Sequence, residues 1–527
     1  MTEGAARCQE LPTAPAEGDE GTAANAGPPP GHDPNLARIA VRSTVWVSLG
    51  TYLNQLIGFG AVLAMTRILS PEVFGYFAMA TFASTLLSLR AKTGLHYMAI
   101  RHSTTDGTLL GTYLAVDLAA AVASLGLSFL AAAALWLAKY PAEVIMATIV
   151  LVACDSLAAS FGALAMVLEK ELQISRLTLT ALLASIAAYT IAIGLALSGA
   201  GLWSLLAVNG VTTFLSAIGV VWVARRRAPH IFRYRWRFSR GLAVNLLRQG
   251  IPVGLSLTAL TSVVNQYDNF LIGTFVGYSV LGYYDRAYRI AHWPHLLLTM
   301  VISRVAFVTF ARVKDDLPRL THAVQLSLWV LTTLGIPIIL VLFFGARDVV
   351  GILYGPAWGA SVPFLRFLTI YALVWPLVNL GFWLSVTLGH TRVALTLTVG
   401  QALTLIVLGT PLTILLGVMG TLVGVIVTML LASVVSSRYI FRQLPLSVKE
   451  TLGIPLLAGG VAGVFLSGIL TMVSLEDIAP LLRLSVVCLI GPGIFVAILY
   501  GMRPADMTQR LRYLWFKGVA EVHMRRA

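Results

Sequence analysis

Charged residues are scarce in this sequence. Only 11% of its 527 residues are Asp, Glu, Lys or Arg, whereas 57% are hydrophobic and the mean hydropathy is +0.83. Typical soluble domains contain about 25% charged residues. The composition therefore excludes a soluble globular protein and predicts an integral membrane protein.

Cysteine is equally scarce. The three residues, Cys8, Cys154 and Cys488, have neither a metal-ligand spacing nor the pattern of a disulfide framework. His292 and His295 flank Trp293-Pro294, but no third ligand follows at a suitable spacing. We expect no metal site and no cofactor.

Long polar connections are also lacking, because apolar runs of membrane-spanning length follow one another closely. No connection exceeds about 25 residues, so we expect neither a soluble catalytic domain nor the large external loop of a membrane polymerase. Fourteen spans are predicted, with both ends of the chain in the cytoplasm. They cover residues 43–66, 75–95, 108–137, 143–167, 175–198, 202–223, 249–275, 288–311, 322–344, 361–388, 393–416, 419–441, 452–474 and 480–501.

The positive charge is distributed asymmetrically. If the N-terminus is cytoplasmic, the cytoplasmic stretches contain 29 of the 37 Lys and Arg residues, as the positive-inside rule requires. The net charge of +14 then reflects contact with anionic lipid, and nucleic acid is not an expected partner. The basic, aromatic loop 225–240 is interpreted in the same way.

The chain divides into six predicted segments. Residues 1–37 form an acidic, disordered cytoplasmic tail without the features of a signal peptide. The other segments are an N-lobe (38–223), a basic interlobe loop (224–248), a C-lobe (249–445), two extra helices (446–501) and a basic amphipathic tail (502–527).

A weak internal repeat supports the two lobes. LSPEVFGYFAMA (69–80) aligns with VGYSVLGYYDRA (276–287), so that Gly75-Tyr76-Phe77 falls opposite Gly282-Tyr283-Tyr284. The two segments lie six spans apart and therefore have the same orientation. Parallel repeats of this kind are typical of alternating-access transporters. We predict an all-α polytopic fold of two six-helix lobes plus two C-terminal helices.

Two motifs resemble a known family. YDNFLIGTFVGYSVLGYYDRAYRI (267–290) and SRVAFVTFARVKDD (303–316), with the element at 69–80, resemble the polysaccharide transporter family. This is the Wzx-type oligosaccharide flippase branch of the multidrug/oligosaccharidyl-lipid/polysaccharide exporter superfamily. The resemblance covers roughly residues 38–445. Thr309, Asp285 and Lys92 depart from the family pattern.

The resemblance implies a non-enzymatic flippase in the bacterial cytoplasmic membrane. Its substrate would be a polyprenyl-pyrophosphate-linked oligosaccharide or a related glycolipid, moved to the outer leaflet for surface polysaccharide synthesis. Its partners would be this substrate, membrane lipids and a polysaccharide polymerase or glycosyltransferases. A drug antiporter of the same superfamily, coupled to H⁺ or Na⁺, is the alternative, and a membrane glycan polymerase is a more distant one.

Moving a pyrophosphate through hydrocarbon requires cations, and the sugar requires hydrogen-bonding groups. Phosphate binding, ion pairing and snorkelling to the interface are all open interpretations of the intramembrane bases. The same holds for stacking on sugars or interfacial anchoring by the aromatic residues. The candidates for a cationic central cavity are Arg90, Lys92, Arg286, Arg289, Arg304, Arg366, Tyr283 and Tyr284.

Three acidic residues lie within predicted spans, namely Asp117, Asp155 and Asp268. Each is a candidate either for structural pairing with a base or for coupling transport to H⁺ or Na⁺. Asp268 is preferred for coupling, because its neighbours Asn265, Gln266 and Asn269 are also polar.

Overall fold

The computed structural model describes residues 34–102, 104–255, 260–472 and 479–502, and regular structure within these ranges is entirely helical. The side chains of residues 34–45, 294–309 and 311–312 are outside this description, and so is the predicted role of Arg304. Residues 1–33 and 503–527, which contain most of the predicted N-terminal tail and the predicted C-terminal amphipathic helix, also lie outside it. The predicted all-α class is confirmed.

Eighteen α-helices follow one another within the described ranges. They are α1 (Pro34–Thr66), α2 (Pro71–Leu87), α3 (Leu95–Arg101), α4 (Gly107–Leu137), α5 (Ala142–Lys170), α6 (Ile174–Leu197), α7 (Leu202–Arg227), α8 (Arg240–Gly254), α9 (Leu260–Phe275), α10 (Tyr278–Val313), α11 (Leu317–Phe344), α12 (Ala346–Leu353), α13 (Ser361–Thr387), α14 (Thr391–Thr404), α15 (Thr410–Leu416), α16 (Val418–Gln443), α17 (Ile454–Met472) and α18 (Pro480–Met502). A single π-helical turn, Leu405–Gly409, joins α14 to α15.

Eleven stretches of helix in the described ranges are long and apolar enough to cross a membrane. They are Trp46–Thr66, Gly107–Leu137, Ala142–Lys170, Ile174–Leu197, Leu202–Arg227, Leu317–Phe344, Ser361–Thr387, Thr391–Leu416, Val418–Gln443, Lys449–Met472 and Pro480–Met502. Many of their large apolar side chains are exposed, which suits contact with lipid rather than water. The chain is therefore a multi-pass membrane protein.

The count of fourteen spans stays a prediction, because three of the predicted spans are not among these eleven stretches. The second was expected at 75–95, but α2 ends at Leu87, so Arg90 and Lys92 lie beyond it in a short turn. The seventh covers the end of α8 and all of α9, and residues 256–259 between them lie outside the described ranges. The eighth belongs to α10, which has 36 residues and includes Asp285, Arg286 and Arg289.

Local sequence explains several helix ends. The carboxylates of Asp106 and Asp316 accept hydrogen bonds from the backbone amides of Leu109 and Arg319, so they cap the N-termini of α4 and α11. Gly94, with φ +60°, makes the left-handed turn between Lys92 and α3. These caps fix where α4 and α11 begin.

The helices pack as two groups. In the N-lobe, α1 packs against α6, and α5 packs against α4 and α7. In the C-lobe, α13 packs against α10, α11 and α16, while α17 and α18 lie against α11. The main contact between the groups is α2, which packs on both α9 and α10. The largest buried apolar cluster extends across this contact.

Candidate membrane-depth cavity and its charged networks

The Arg90 side chain links the turn after α2 to α4 and α5. Its Nε and Nη2 donate to the two carboxylate oxygens of Asp117 on α4 at 2.8 and 2.9 Å. Its Nη1 donates to the backbone carbonyl of Asp155 on α5 and to its Oδ1, the latter at 3.2 Å. Both side chains of the Arg90–Asp117 pair are largely buried, with 14% and 5% exposed. Arg90 is therefore engaged by protein carboxylates, and these three residues sum to one negative charge.

Asp155 connects this network to a cavity. Its second carboxylate oxygen accepts a hydrogen bond from the Ser88 hydroxyl at 2.5 Å, and 42% of its side chain is exposed. That exposed part lines a cavity of about 540 Å³ between α2, α5, α7 and α9. Because α9 belongs to the C-lobe, the cavity lies between the two helix groups.

The lining of this cavity is rich in hydrogen-bonding groups. Lys92 lies in its wall, and its Nζ donates to the backbone carbonyl of Leu86. Among the described residues of the wall, Lys92 and Asp155 are the ionised ones, so the charges of these two side chains balance. Hydroxyl and amide groups are contributed by Thr81, Ser84, Thr85, Ser88, Asn209, Thr213 and Ser262.

These hydroxyl residues were not predicted from the sequence, although a signal for them was present. Positions 81, 84, 85 and 88 follow the i, i+3, i+4, i+7 spacing of one helix face. A polar face on an otherwise apolar membrane helix indicates a buried or water-filled surface. Asn54, Asn265 and Gln266 are further polar residues on apolar membrane helices. Each has a buried side-chain oxygen that accepts no hydrogen bond within the described residues.

The C-lobe has its own charged network on α10. Asp285 and Arg286 are buried, and Arg286 and Arg289 donate through Nε to Oδ2 of Asp285 at 3.0 and 3.1 Å. The Arg286 guanidinium also stacks over the ring of Phe74 on α2, with its carbon 4.5 Å from the ring centroid. Half of the Arg289 side chain remains exposed. Two arginines and one aspartate leave this network with one positive charge.

Asp268 and Tyr284 form a buried pair. The Tyr284 hydroxyl donates to Oδ2 of Asp268 at 2.5 Å, and the backbone amide of Asn269 donates to Oδ1 of Asp268 at 2.9 Å. Asp268 is 3% exposed and Tyr284 is fully buried, so Tyr284 presents no ring face to a ligand in this conformation. Tyr283 is partly buried and packs edge-on against Trp358, with centroids 5.8 Å apart.

The remaining sequence-predicted base with a described side chain, Arg366, is exposed on α13 next to exposed Phe367. The structure thus brings together Arg90 with Asp117 and Asp155, and Arg286 with Arg289. No group of His, Cys, Asp and Glu suited to a metal ion occurs among the described residues.

The repeat motifs meet at the contact between α2 and α10. A Cβ atom on Gly75 would collide with the backbone carbonyl of Tyr278, and one on Gly282 would collide with that of Pro71. In the repeat alignment Gly75 corresponds to Gly282 and Pro71 to Tyr278. The contact is therefore reciprocal, as in a two-fold interface.

This architecture is that of a multi-pass helical membrane protein. A solved structure titled as the lipid II flippase MurJ in an inward closed conformation superposes with a TM-score of 0.66 at 14% identity. The match covers 86% of this chain and 99% of that one, which shows that the fold is shared.

The family follows from the sequence. A family profile described as "Polysaccharide biosynthesis protein" matches residues 64–363, which is more than half of the chain. The chain belongs to this family of polysaccharide biosynthesis proteins. The family resemblance predicted from the motifs is thereby confirmed.

Two curated relatives have descriptive names. The succinoglycan biosynthesis transport protein ExoT of Rhizobium meliloti strain 1021 is 26% identical over 335 residues, which are 63% of this chain and 66% of that protein. The lipopolysaccharide biosynthesis protein WzxC of Escherichia coli strain K12 is 32% identical over 126 residues, which are 23% of this chain and 25% of that protein. The matches thus span less than two thirds of the relatives' own lengths.

Proposed function

We propose that this chain is a flippase for a polyprenyl-pyrophosphate-linked oligosaccharide or a related glycolipid. It moves this substrate from the cytoplasmic to the outer leaflet for surface polysaccharide synthesis. The observation that carries the proposal is the cavity between the lobes, which is lined by hydroxyl and amide groups at membrane depth. The names of the relatives, which refer to polysaccharide biosynthesis and transport, support the same conclusion.

The cavity suits the sugar part of such a substrate. Its volume of about 540 Å³ lies within the usual range for small-molecule sites. Sugar hydroxyls taken out of water lose free energy unless they are hydrogen-bonded, and the Ser, Thr and Asn side chains of the wall supply partners. The Thr81, Ser84 and Thr85 hydroxyls donate to backbone carbonyls within α2, so toward a sugar hydroxyl they act as acceptors.

The pyrophosphate requires positive charge, and we assign it to Lys92 and Arg289. Lys92 lines the cavity, and Arg289 has half of its side chain exposed in a network with a net positive charge. Arg90 and Arg286 are held by buried carboxylates and act instead as positioning residues. The charges of Lys92 and Asp155 balance in the empty cavity, so a bound pyrophosphate adds net negative charge there.

Asp268 is the proposed coupling acid. It is buried in the C-lobe, and its hydrogen bond from Tyr284 fixes its orientation. Gain or loss of H⁺ or Na⁺ at this carboxylate would change the balance between the two conformations of an alternating-access cycle. A membrane potential supplies about 2.3 kcal/mol per charge per 100 mV for such a step.

The proposed location is the bacterial cytoplasmic membrane, with fourteen crossings and both termini in the cytoplasm. Contacts between connections support this topology because each joins segments predicted on the same side. Arg67 donates to the carbonyl of Ile352, and both are predicted outside. His230 lies 2.9 Å from Glu171, and both are predicted in the cytoplasm.

The proposed division into lobes assigns residues 38–223 and 249–445 to the moving units, with 446–501 as an accessory pair of helices. The predicted interlobe loop 224–248 contains the end of α7 and the start of α8, so only 228–239 connects the two helices. This connection rests on the N-lobe, since the backbone amide of Arg237 donates to the carbonyl of Gly107 and that of Ser239 to the hydroxyl of Thr112. Buried Ile231 holds the same loop against α4 and α7.

The test uses the purified protein in liposomes with a fluorescent polyprenyl-pyrophosphate oligosaccharide and an external reagent that destroys the fluorophore. The wild-type protein should make the inner-leaflet label accessible. Lys92→Gln and Arg289→Gln should each slow this step about tenfold or more, because a charge-assisted hydrogen bond contributes about 1.5–3 kcal/mol.

Arg366→Gln is the matched control, since it removes an exposed arginine away from the cavity wall, and it should move the substrate like the wild type. Undiminished movement by both Lys92→Gln and Arg289→Gln would refute the assigned phosphate site. Export of cationic dyes without glycolipid movement would identify the drug antiporter instead. Glycan elongation would identify a polymerase rather than a transporter.

A further inference from the structure

A groove separate from the cavity runs along α1 and α6. It encloses about 460 Å³, and its apolar walls are formed by Trp46, Leu49 and Leu53 on α1 and by Leu179 and Leu182 on α6. None of these residues lines the cavity assigned to the glycolipid. The groove lies at the ends of α1 and α6 that are predicted to face the cytoplasm.

The groove opens toward lipid. Trp46, Leu49, Leu53 and Leu56 recur at helical spacing on α1, and between 41% and 57% of each residue is exposed. Polar Ser48, Thr51 and Gln55 lie on a different face of the same helix. An exposed apolar face at membrane depth contacts hydrocarbon chains, so the molecule that reaches this groove is a lipid.

Arg176 gives the groove a charge. It lies near the start of α6 beside Ser175, and both residues belong to the groove wall. Its Nη1 atom is buried, and no atom of the described residues accepts a hydrogen bond from it. Leaving a buried charged donor unpaired is unfavourable by more than the roughly 1–3 kcal/mol of a neutral group. The guanidinium therefore has donor capacity for an acceptor outside the described residues, and the groove that Arg176 lines is where a ligand would supply it.

We propose that this groove binds an anionic phospholipid of the adjacent leaflet. Its phosphate contacts Arg176 and Ser175, and one acyl chain follows Leu179 and Leu182. These leucines lie three and six residues beyond Arg176, or about 4.5 and 9 Å deeper along the helix. A zwitterionic lipid brings its own cation to the phosphate, so charge complementarity favours a lipid with net negative charge.

The test uses the full-length protein in phosphatidylcholine vesicles that contain a small fraction of phosphatidylglycerol with a photoactivatable group on one acyl chain. Mass spectrometry then maps the labelled peptides. Labelling of 46–53 and 175–182 should exceed that by a matched phosphatidylcholine probe about tenfold, the ratio expected for one charge-assisted contact. Arg176→Gln should abolish this preference, whereas Arg176→Lys should retain most of it.

Arg366→Gln, which removes an exposed arginine on α13, should leave the labelling of both segments unchanged. Equal labelling by the two probes in the wild-type protein would overturn the proposal, even if Arg176→Gln failed to fold. Displacement of the label by a polyprenyl phosphate but not by excess phosphatidylglycerol would overturn the choice of occupant. The outcome does not depend on whether the protein moves a glycolipid.

Discussion

At the scale of single side chains, the ionised residues have two different roles. Arg90, Arg286 and Asp285 are mostly enclosed by protein and satisfied by one another or by Asp117 and Asp155. Lys92 and Arg289 keep surface that a ligand can reach. Sequence alone placed all of these residues near membrane depth, but it gave no means of separating the two roles.

The Arg90–Asp117 pair allows a direct test of the structural role. Arg90→Leu should lower the free energy of unfolding by about 3–5 kcal/mol, because it leaves Asp117 buried without a counter-charge. The double variant Arg90→Leu/Asp117→Leu should recover part of this loss. Thermal unfolding of the purified protein in detergent, followed by intrinsic fluorescence, measures the difference.

Arg366→Leu is the control for that experiment, since its side chain is exposed and its loss should change the unfolding temperature little. If Arg90→Leu unfolded at the same temperature as the wild type, the Arg90–Asp117 pair would not contribute to the stability of the fold. Arg90 would then return to the set of substrate-binding candidates.

At the scale of helices, the contact of α2 with α10 depends on two glycines. Gly75 and Gly282 allow the backbones of equivalent repeats to approach each other, and any side chain would separate them. The repeat alignment predicted that these residues correspond. It did not predict that they face each other, because a repeat in sequence does not specify which surfaces of the two copies meet.

Replacing either glycine tests this contact. Gly75→Ala and Gly282→Ala should each destabilise the protein by about 1–3 kcal/mol through overpacking, and the two effects should be similar because the contact is reciprocal. Gly126→Ala on α4 is the matched control, since a Cβ there meets no atom within 4 Å. Unfolding temperatures in detergent provide the measurement, and variants at 75 and 282 that resemble Gly126→Ala would contradict it.

Hydropathy predicted the long helices well because their apolar surface follows directly from contact with lipid. Where the sequence prediction failed, tertiary contacts decide the backbone. The second span was extended to residue 95, yet α2 ends at Leu87 because Arg90 turns toward carboxylates on α4 and α5. The short helices α3 and α12 were not predicted either, since each is too short to stand out as a span. Helix α8 begins at Arg240, inside the predicted interlobe loop, and its end overlaps the predicted seventh span.

At the scale of the whole molecule, the family, the all-α class and the two repeat motifs could be predicted from sequence. The cavity could not, because its wall combines residues more than a hundred positions apart, such as Ser88 and Ser262. The charge balance of Lys92 against Asp155 likewise appears only when the chain is folded. The cationic cavity was predicted from the pyrophosphate of the expected substrate, and it stays a prediction.

The membrane topology can be tested on the whole molecule with single cysteines in a background without Cys8, Cys154 and Cys488. Lys139→Cys and Arg347→Cys, both at exposed positions in predicted outer connections, should react with an impermeant maleimide in intact cells. Arg235→Cys and Arg392→Cys, exposed in predicted cytoplasmic connections, should react only after permeabilisation. Reaction of Arg392→Cys in intact cells would mean that the number of crossings before it is odd.

The glycine crossing of α2 and α10 has a further consequence for the cell. The wall of the hydroxyl-lined cavity begins at Phe77, only two residues beyond Gly75. A polar cavity of this size can admit water, and water open to both sides of the membrane at once would let protons leak and discharge it. Backbone packed directly on backbone leaves little room for solvent between α2 and α10. The contact can therefore keep water in the cavity from forming a continuous path across the bilayer, which preserves the energy stored there.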